Sequence, residues 1–305
     1  MSSLRSTDYK GKVNMVISRL IGGLGNQMFQ YAAGMSLAAA NDCDFKLDVS
    51  GYKNYTLHNG FELDLFNIHA TVATSEEISS IVSVQSRFAR FMSTKLGLSN
   101  QSHFVEKSFS FDRDIFNIRH SAYIDGYWQS YKYFESIALP LRTEFTPKNP
   151  LSDLNFCIAQ QISKINAVSL HIRRGDYISN PVTNKVHGFL GIRYYEDAIR
   201  MILNEVSNPY FFVFSDDMDW ARDNFQFISD VTFVEHNRGK KSYEDMRLMS
   251  LCKHHIIANS SFSWWGAWLG QNPNKIVLYP ERWFATNDRD TSALFPPEWS
   301  VVKTC

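Results

Sequence analysis

The chain has 305 residues, 44% of them apolar and 14% aromatic, with 31 basic and 31 acidic side chains. That length buries two cores of ordinary size more readily than one large core, and the charge balance leaves no basic field for a nucleic acid and no acidic one for a polycation. The four cysteines, Cys43, Cys157, Cys252 and Cys305, form no CxxC pair, so a zinc site is excluded and reduced thiols are expected.

The first twelve residues are polar, without the apolar run of a signal or anchor, and are expected to be a disordered tail. No later segment approaches the roughly 20 apolar residues a membrane span needs. The expected location is the cytoplasm, with at most peripheral association at the inner membrane.

Ordered structure should begin with a β-branched strand from Val13 to Leu20 that runs into a glycine-rich turn, Ile21 to Gln27. A helix from Met28 to Asn41 follows, with Phe29, Ala32, Ala33, Leu37 and Ala40 at helical spacing. Gly23 and Gly25 would let the backbone approach a ligand at that helix start, with Asn26 and Gln27 beside it. The spacing is not GxGxxG and no Walker lysine is present, so neither a nicotinamide nor an ATP site is supported.

Phe45 to Asp48 reads as a second strand and Ser75 to Leu98 as an amphipathic helical stretch whose Arg87 and Arg90 face solvent. Tyr123 to Gln129 mixes aromatics with a carboxylate and an amide, as both sugar clefts and ordinary cores do. Glu144 to Asp153, with Pro147 and Pro150, is the expected linker. It divides an N-terminal α/β domain, 13–150, from a C-terminal one, 151–305.

The second half alternates. Helices are expected at Asn155–Ile165, Tyr194–Val206, Trp220–Phe227, Tyr243–Cys252 and Ser263–Gln271, and strands at Val168–Ile172, Tyr210–Phe214, Val231–Val234, His255–Asn259 and Lys275–Tyr279. Such a rhythm implies a parallel, doubly wound sheet with ligands at the C-terminal strand ends. Every polar cluster falls at such an end: His171 to Asp176, then Asp216 and Asp217, then Asn259 to Ser263.

The first cluster places Arg173 and Arg174 beside Gly175, expected to form a tight turn. Paired guanidinium forks suit a diphosphate. The last cluster opens a helix with Ser260, Ser261 and Phe262, where free N–H groups and hydroxyls converge on an anion. Trp264, Trp265 and Trp268 on that helix read as core. Asp245, one helix earlier, offers an acceptor for the paired N–H donors of a guanine, or a plain surface ion pair.

Four motifs in this order, Gly22 to Ala32, His171 to Asp176, Phe214 to Asp217 and Asn259 to Gly266, resemble the bacterial α-1,2-fucosyltransferases, a family shared with the animal blood-group enzymes. The resemblance runs from about Val13 to Phe284. It implies a GT-B fold of two Rossmann-like domains, with GDP-L-fucose on the C-terminal domain and the acceptor, a glycan ending in β-galactose, largely on the N-terminal one. It further implies inverting transfer to the galactose 2-hydroxyl with no metal or other cofactor. In the wider superfamily the matching arginines, Arg173 and Arg174, serve the pyrophosphate, His171 and Asp245 the guanine, and Ser260, Ser261 and Phe262 the phosphate. Asn26 matches an asparagine near the reacting centre. The stretch Tyr177 to Leu190 carries no acid, unlike the α-1,6 type, which leaves Asp176 and His187 as alternative bases. Competing expectations are a metal-dependent transferase using a DxD at Asp112, Asp217 or Asp288, a GT-B enzyme with another nucleotide sugar, and a non-catalytic carbohydrate-binding protein.

Overall fold

The computed structural model describes residues 14–55, 58–82, 102–286 and 288–303. Two compact units divide between Thr146 and Pro147, and the short segment Ser292–Leu294 groups with the first.

The first unit holds the parallel strands β1 (Met15–Arg19), β2 (Asp44–Asp48), β3 (Thr71–Val72), β4 (His103–Val105) and β5 (Ala122–Asp125). Their order is β3-β2-β1-β5-β4, so the chain reverses its direction of winding between β1 and β5. Val16 and Ile17 of β1 are fully buried, as a strand covered on both faces requires. The Leu24–Asn41 helix crosses from β1 to β2 and packs tightly on the sheet. A methyl group at Gly34 would stand 2.4 Å from the Phe45 ring. The helix expected over Ser75–Leu98 is seen as Ser75–Val82; the remainder, with Arg87 and Arg90, lies outside the described residues, as does the N-terminal segment.

The second unit holds β6 (Asn166–Ile172), β7 (Pro209–Ser215), β8 (Val231–Val234), β9 (His254–Ile256), β10 (Val277–Pro280) and β11 (Ser300–Val302). All pair in parallel in the order β11-β10-β9-β6-β7-β8, the doubly wound order of a dinucleotide fold, with its switch point between β6 and β9. Phe211 and Val213 pack on one face of the sheet with Ile199 and Ile202, and Phe212 and Phe214 on the other with Leu248 and Met249. This alternation along β7 is what lets helices cover both faces.

The Tyr243–Leu251 and Ser261–Leu269 helices lie close together. A Cβ at Gly266 would meet Met249 at 3.0 Å, so the glycine permits the approach. Trp264 and Trp265 are fully buried, as read from the sequence.

Candidate active site

By the rule for doubly wound sheets a ligand lies outside the carboxyl ends of the strands at the switch point, here the ends of β6 and β9. His171 is the last inward-facing polar residue of β6. It is 6% exposed, its Nδ1 has no hydrogen-bond partner, and its ring lies 5.7 Å from that of Phe262 at the start of the neighbouring helix. Burial, opposed by Asp216 and reinforced by Arg173, pulls its pKa down to about 3. The imidazole is therefore neutral and offers one donor and one acceptor nitrogen.

Past His171 the chain differs from expectation. Gly175 does not adopt a positive φ; it opens a short helix, Gly175–Ser179, followed by Pro181–His187. The missing side chain serves close approach instead, because a Cβ there would meet the Asp216 carboxylate at 3.0 Å. Asp216 is the hub of this turn. Its Oδ1 accepts the Arg174 backbone N–H at 2.8 Å and its Oδ2 pairs with Arg173 Nη1 at 3.1 Å. Asp217 accepts Arg174 Nε at 3.4 Å and caps the Met218–Asn224 helix through Trp220 N. In this structure Asp216 and Asp217, read as donor-binding, hold the two arginines. The Arg174 guanidinium also lies over Trp220 at 3.9 Å, and Arg173 over Tyr177 at 5.4 Å. Both forks are thus fixed in direction before any ligand arrives.

Across the switch point, Ser260 caps the Ser261–Leu269 helix by accepting from Phe262 N at 3.3 Å. Asn259, 2% exposed, donates through Nδ2 to His187 O at 3.0 Å and Trp283 O at 3.3 Å. Its part is to tie two loops to the end of β9, which burial among apolar residues makes worth having. The Tyr177 hydroxyl donates to Asn259 O at 3.0 Å, and the His187 ring stacks on Tyr177 at 5.1 Å with Phe284 beyond it. His187, read as a possible base, is clamped among rings. The side chain of Asp176, the other candidate, lies outside what is described.

Asp245 sits in the first turn of the Tyr243–Leu251 helix. Burial pushes its pKa up to about 7, against one donation from Asn237 Nδ2 at 2.9 Å. It forms no ion pair among the described residues, so the surface salt bridge allowed by the sequence is not formed.

In the first unit the glycine-rich turn is also reorganised relative to expectation. Gly22, at φ 79°, leaves space that the Asn26 side chain fills, and Gly23 is the extended residue before the Leu24–Asn41 helix. The helix therefore starts four residues earlier than its apolar spacing suggested, with Gly25 buried in its first turn. Gln27 does not face a ligand: it is fully buried, donates to Gly22 O at 3.1 Å and Gly60 O at 2.8 Å, and accepts Glu62 N at 2.9 Å. Asn26 is half-buried and accepts from Gln129 Nε2 at 2.7 Å. Glu62, itself buried, lies beside the start of this helix, where its backbone N–H meets Gln27, and burial raises its pKa while the nearby Leu24 N–H opposes the rise. A carboxyl group thus lies close to this helix start.

Two features were missed. Glu106 accepts the N–H groups of Tyr127 and Trp128 at 2.7 and 3.0 Å, holding a loop in which Trp128 has φ 54°. Gly126 makes room for it, since a side chain there would overlap Glu106. Asn155 and Asn237 pair behind Asp245, at a sequence separation of 82 that no local pattern reveals.

The DxD carboxylates are engaged locally: Asp217 as above, Asp112 by the Asp114 N–H at 2.9 Å, and Asp288 by Thr286. Among the described residues no group of three or more His, Cys, Asp or Glu is placed to hold a metal, and no helix is long and apolar enough to cross a membrane.

Residues 3–303 match glycosyl transferase family 11, beyond both ends of the span read from motifs. The chain is 40% identical to an Escherichia coli alpha-1,2-colitosyltransferase, covering 95% of this chain and 100% of that one. It is 36% identical to the O-antigen biosynthesis glycosyltransferase WbnK of Escherichia coli, covering 89% and 96%. The human galactoside alpha-(1,2)-fucosyltransferase 1 is 24% identical over 91% of this chain and 70% of its own. Among solved structures, the NodZ alpha-1,6-fucosyltransferase soaked with GDP-fucose superposes with a TM-score of 0.53 at 14% identity over 85% and 93% of the two chains. A mutant of Arabidopsis thaliana FUT1 in complex with GDP superposes with 0.54 at 12% over 91% and 72%. These likenesses establish the GT-B type of fold from its two parallel α/β units. With a match over nearly its whole length, the chain belongs to glycosyl transferase family 11, the glycosyltransferase family that includes the α-1,2-fucosyltransferases.

Proposed function

We propose that the protein transfers L-fucose from GDP-L-fucose to the 2-hydroxyl of a terminal β-galactoside, inverting the anomeric centre without a metal. The observation that carries the reading is a preset pair of arginines and a serine-capped helix start, set after the two neighbouring strands β6 and β9 that flank one switch point. Both are anion sites, and a diphosphate has charge for both. The acceptor hydroxyl attacks C1 of the sugar while GDP leaves from the opposite face. Negative charge grows on the leaving phosphate, and Arg173, Arg174, Ser260 and Ser261 stabilise it more in the transition state than in the ground state. Asp245 reads the guanine through its paired N–H donors, with His171 and Phe262 beside it.

One observation favours a sister reading for the sugar. The 40% identical relative carries the name of a colitosyltransferase, and colitose is L-fucose lacking one hydroxyl. The test has two steps. Calorimetric titration with GDP, UDP and ADP should show GDP bound tightest, and equal affinities would refute the nucleotide assignment. Turnover with GDP-fucose and GDP-colitose on a lactose-type acceptor then decides the sugar, with a clear preference for GDP-colitose refuting the fucosyl reading. The acceptor is an O-antigen-type glycan in this proposal, the WbnK likeness being its support.

A further inference from the structure

Behind Asp245 lies a closed set of amide hydrogen bonds that nothing in the motif pattern announces. Asn155 Nδ2 donates to Asn237 Oδ1 at 3.0 Å and Asn237 Nδ2 donates back to Asn155 Oδ1 at 3.0 Å. The two side chains are 1% and 6% exposed as whole residues. His236 Nε2 lies 2.7 Å from the same Asn155 oxygen. Its pKa is lowered, chiefly by burial, so the ring is neutral and can meet that oxygen only as an N–H donor. Two donors converging on one atom fix which end of the Asn155 amide is oxygen. Reciprocal pairing then fixes Asn237, whose second N–H is left pointing at Asp245 Oδ1, 2.9 Å away.

We propose that Asn237, braced by Asn155, is a positioning residue that sets the orientation of the Asp245 carboxylate for a nucleobase presenting paired N–H donors. The donation occupies one lone pair of Oδ1 and leaves the other, together with Oδ2, for a bidentate contact. A buried carboxylate without it would be free to rotate and cheaper to protonate. The inference rests on the guanine reading above and goes beyond it, since it names what makes Asp245 able to select.

The surroundings of Asp245 leave this task to Asn237. Glu244 on the same helix raises its pKa, and burial raises it more. The loop after β8 brings Glu235, His236, Arg238, Lys240 and Lys241, and the Asp153–Lys164 helix starts with Asp153, yet none of these forms an ion pair with Asp245. The Ser261–Leu269 helix carries no charge. Asn237 is the group that lowers the pKa.

The test is calorimetric binding of GDP and UDP between pH 6 and 9 to the wild type, Asn237→Ala and Asn155→Ala. UDP, whose diphosphate ionises alike, removes that contribution. Only the ionised carboxylate accepts the base, so wild-type GDP affinity should rise with pH around a midpoint near 7. Loss of the Asn237 donation should move the midpoint up by about one unit, weakening GDP about ninefold at pH 6 and about fivefold at pH 7, with the curves converging above pH 9. UDP should be unaffected, and Asn155→Ala should shift the midpoint the same way by less. A wild type that does not distinguish GDP from UDP refutes the guanine reading and this inference with it. If the wild type does distinguish them, unmoved midpoints, or equal losses for GDP and UDP, refute the inference alone. Should Asn237→Ala not fold, the midpoint of Asn155→Ala decides.

Discussion

Asp216 makes two contacts of different worth, and a pair of substitutions separates them. The ion pair with Arg173 is 3.1 Å long between side chains 23% and 26% exposed, so solvent screens it and it contributes about 0.2 to 1 kcal/mol. The bond from the Arg174 backbone N–H is 2.8 Å and ends on a carboxylate, but it lies at the surface where water can replace the partner, so it contributes about 0.5 to 1.5 kcal/mol. Asp216→Asn keeps an oxygen for the N–H and loses mainly the ion pair. Asp216→Ala loses both and leaves the N–H without its partner. The expected stability losses are therefore about 0.5 kcal/mol for Asn and about 1 to 2 kcal/mol for Ala. At about 2 to 4 °C per kcal/mol for a unit of this size, melting should fall by about 1 to 2 °C and about 2 to 8 °C. Scanning calorimetry measures both, and GDP titration at a temperature where each variant is folded reports what the loosened turn does to the arginines. If Asn and Ala destabilise equally, the backbone bond is not what Asp216 supplies, and the account of Gly175 as the residue that makes room for it falls too.

Other outcomes follow from the same geometry. Arg173→Lys and Arg174→Lys should lower kcat by about 10² to 10³ with little change in melting temperature, because a point charge cannot reproduce a bidentate fork; a rise in KM alone would reduce them to binding groups. Asp245→Asn should weaken GDP by about 1.5 to 3 kcal/mol more than UDP, and equal losses would count against a base-reading role. Transfer should persist in excess EDTA, and activity that EDTA abolishes and manganese restores would overturn the metal-independent reading.

The buried parallel strands were legible because they carry near-continuous apolar runs: β7 and β8 fall within a residue or two of where Tyr210–Phe214 and Val231–Val234 placed them. β4 and β11, three residues each, are too short for a period to show. Placement at element ends was legible from local pattern: the adjacent arginines follow β6 and the serines open a helix, as read. Gln27 was misread because its partners, Gly60 and Glu62, lie more than 30 residues on, and a polar side chain in a first turn looks the same whether it faces ligand or loop. Gly175 was misread because a glycine needed for room and one needed for a positive φ have the same letter.

Glu62, buried beside the start of the Leu24–Asn41 helix, gives the two units different electrical characters. Both start a helix after a strand at a switch point, and each such start carries a partial positive charge. In the second unit that charge meets neutral hydroxyls; in the first a buried carboxyl group lies beside it. An anion would gain less at the glycine-rich turn than at its counterpart. One glutamate thus sets two otherwise matching helix starts apart, leaving the second as the better place for an anion.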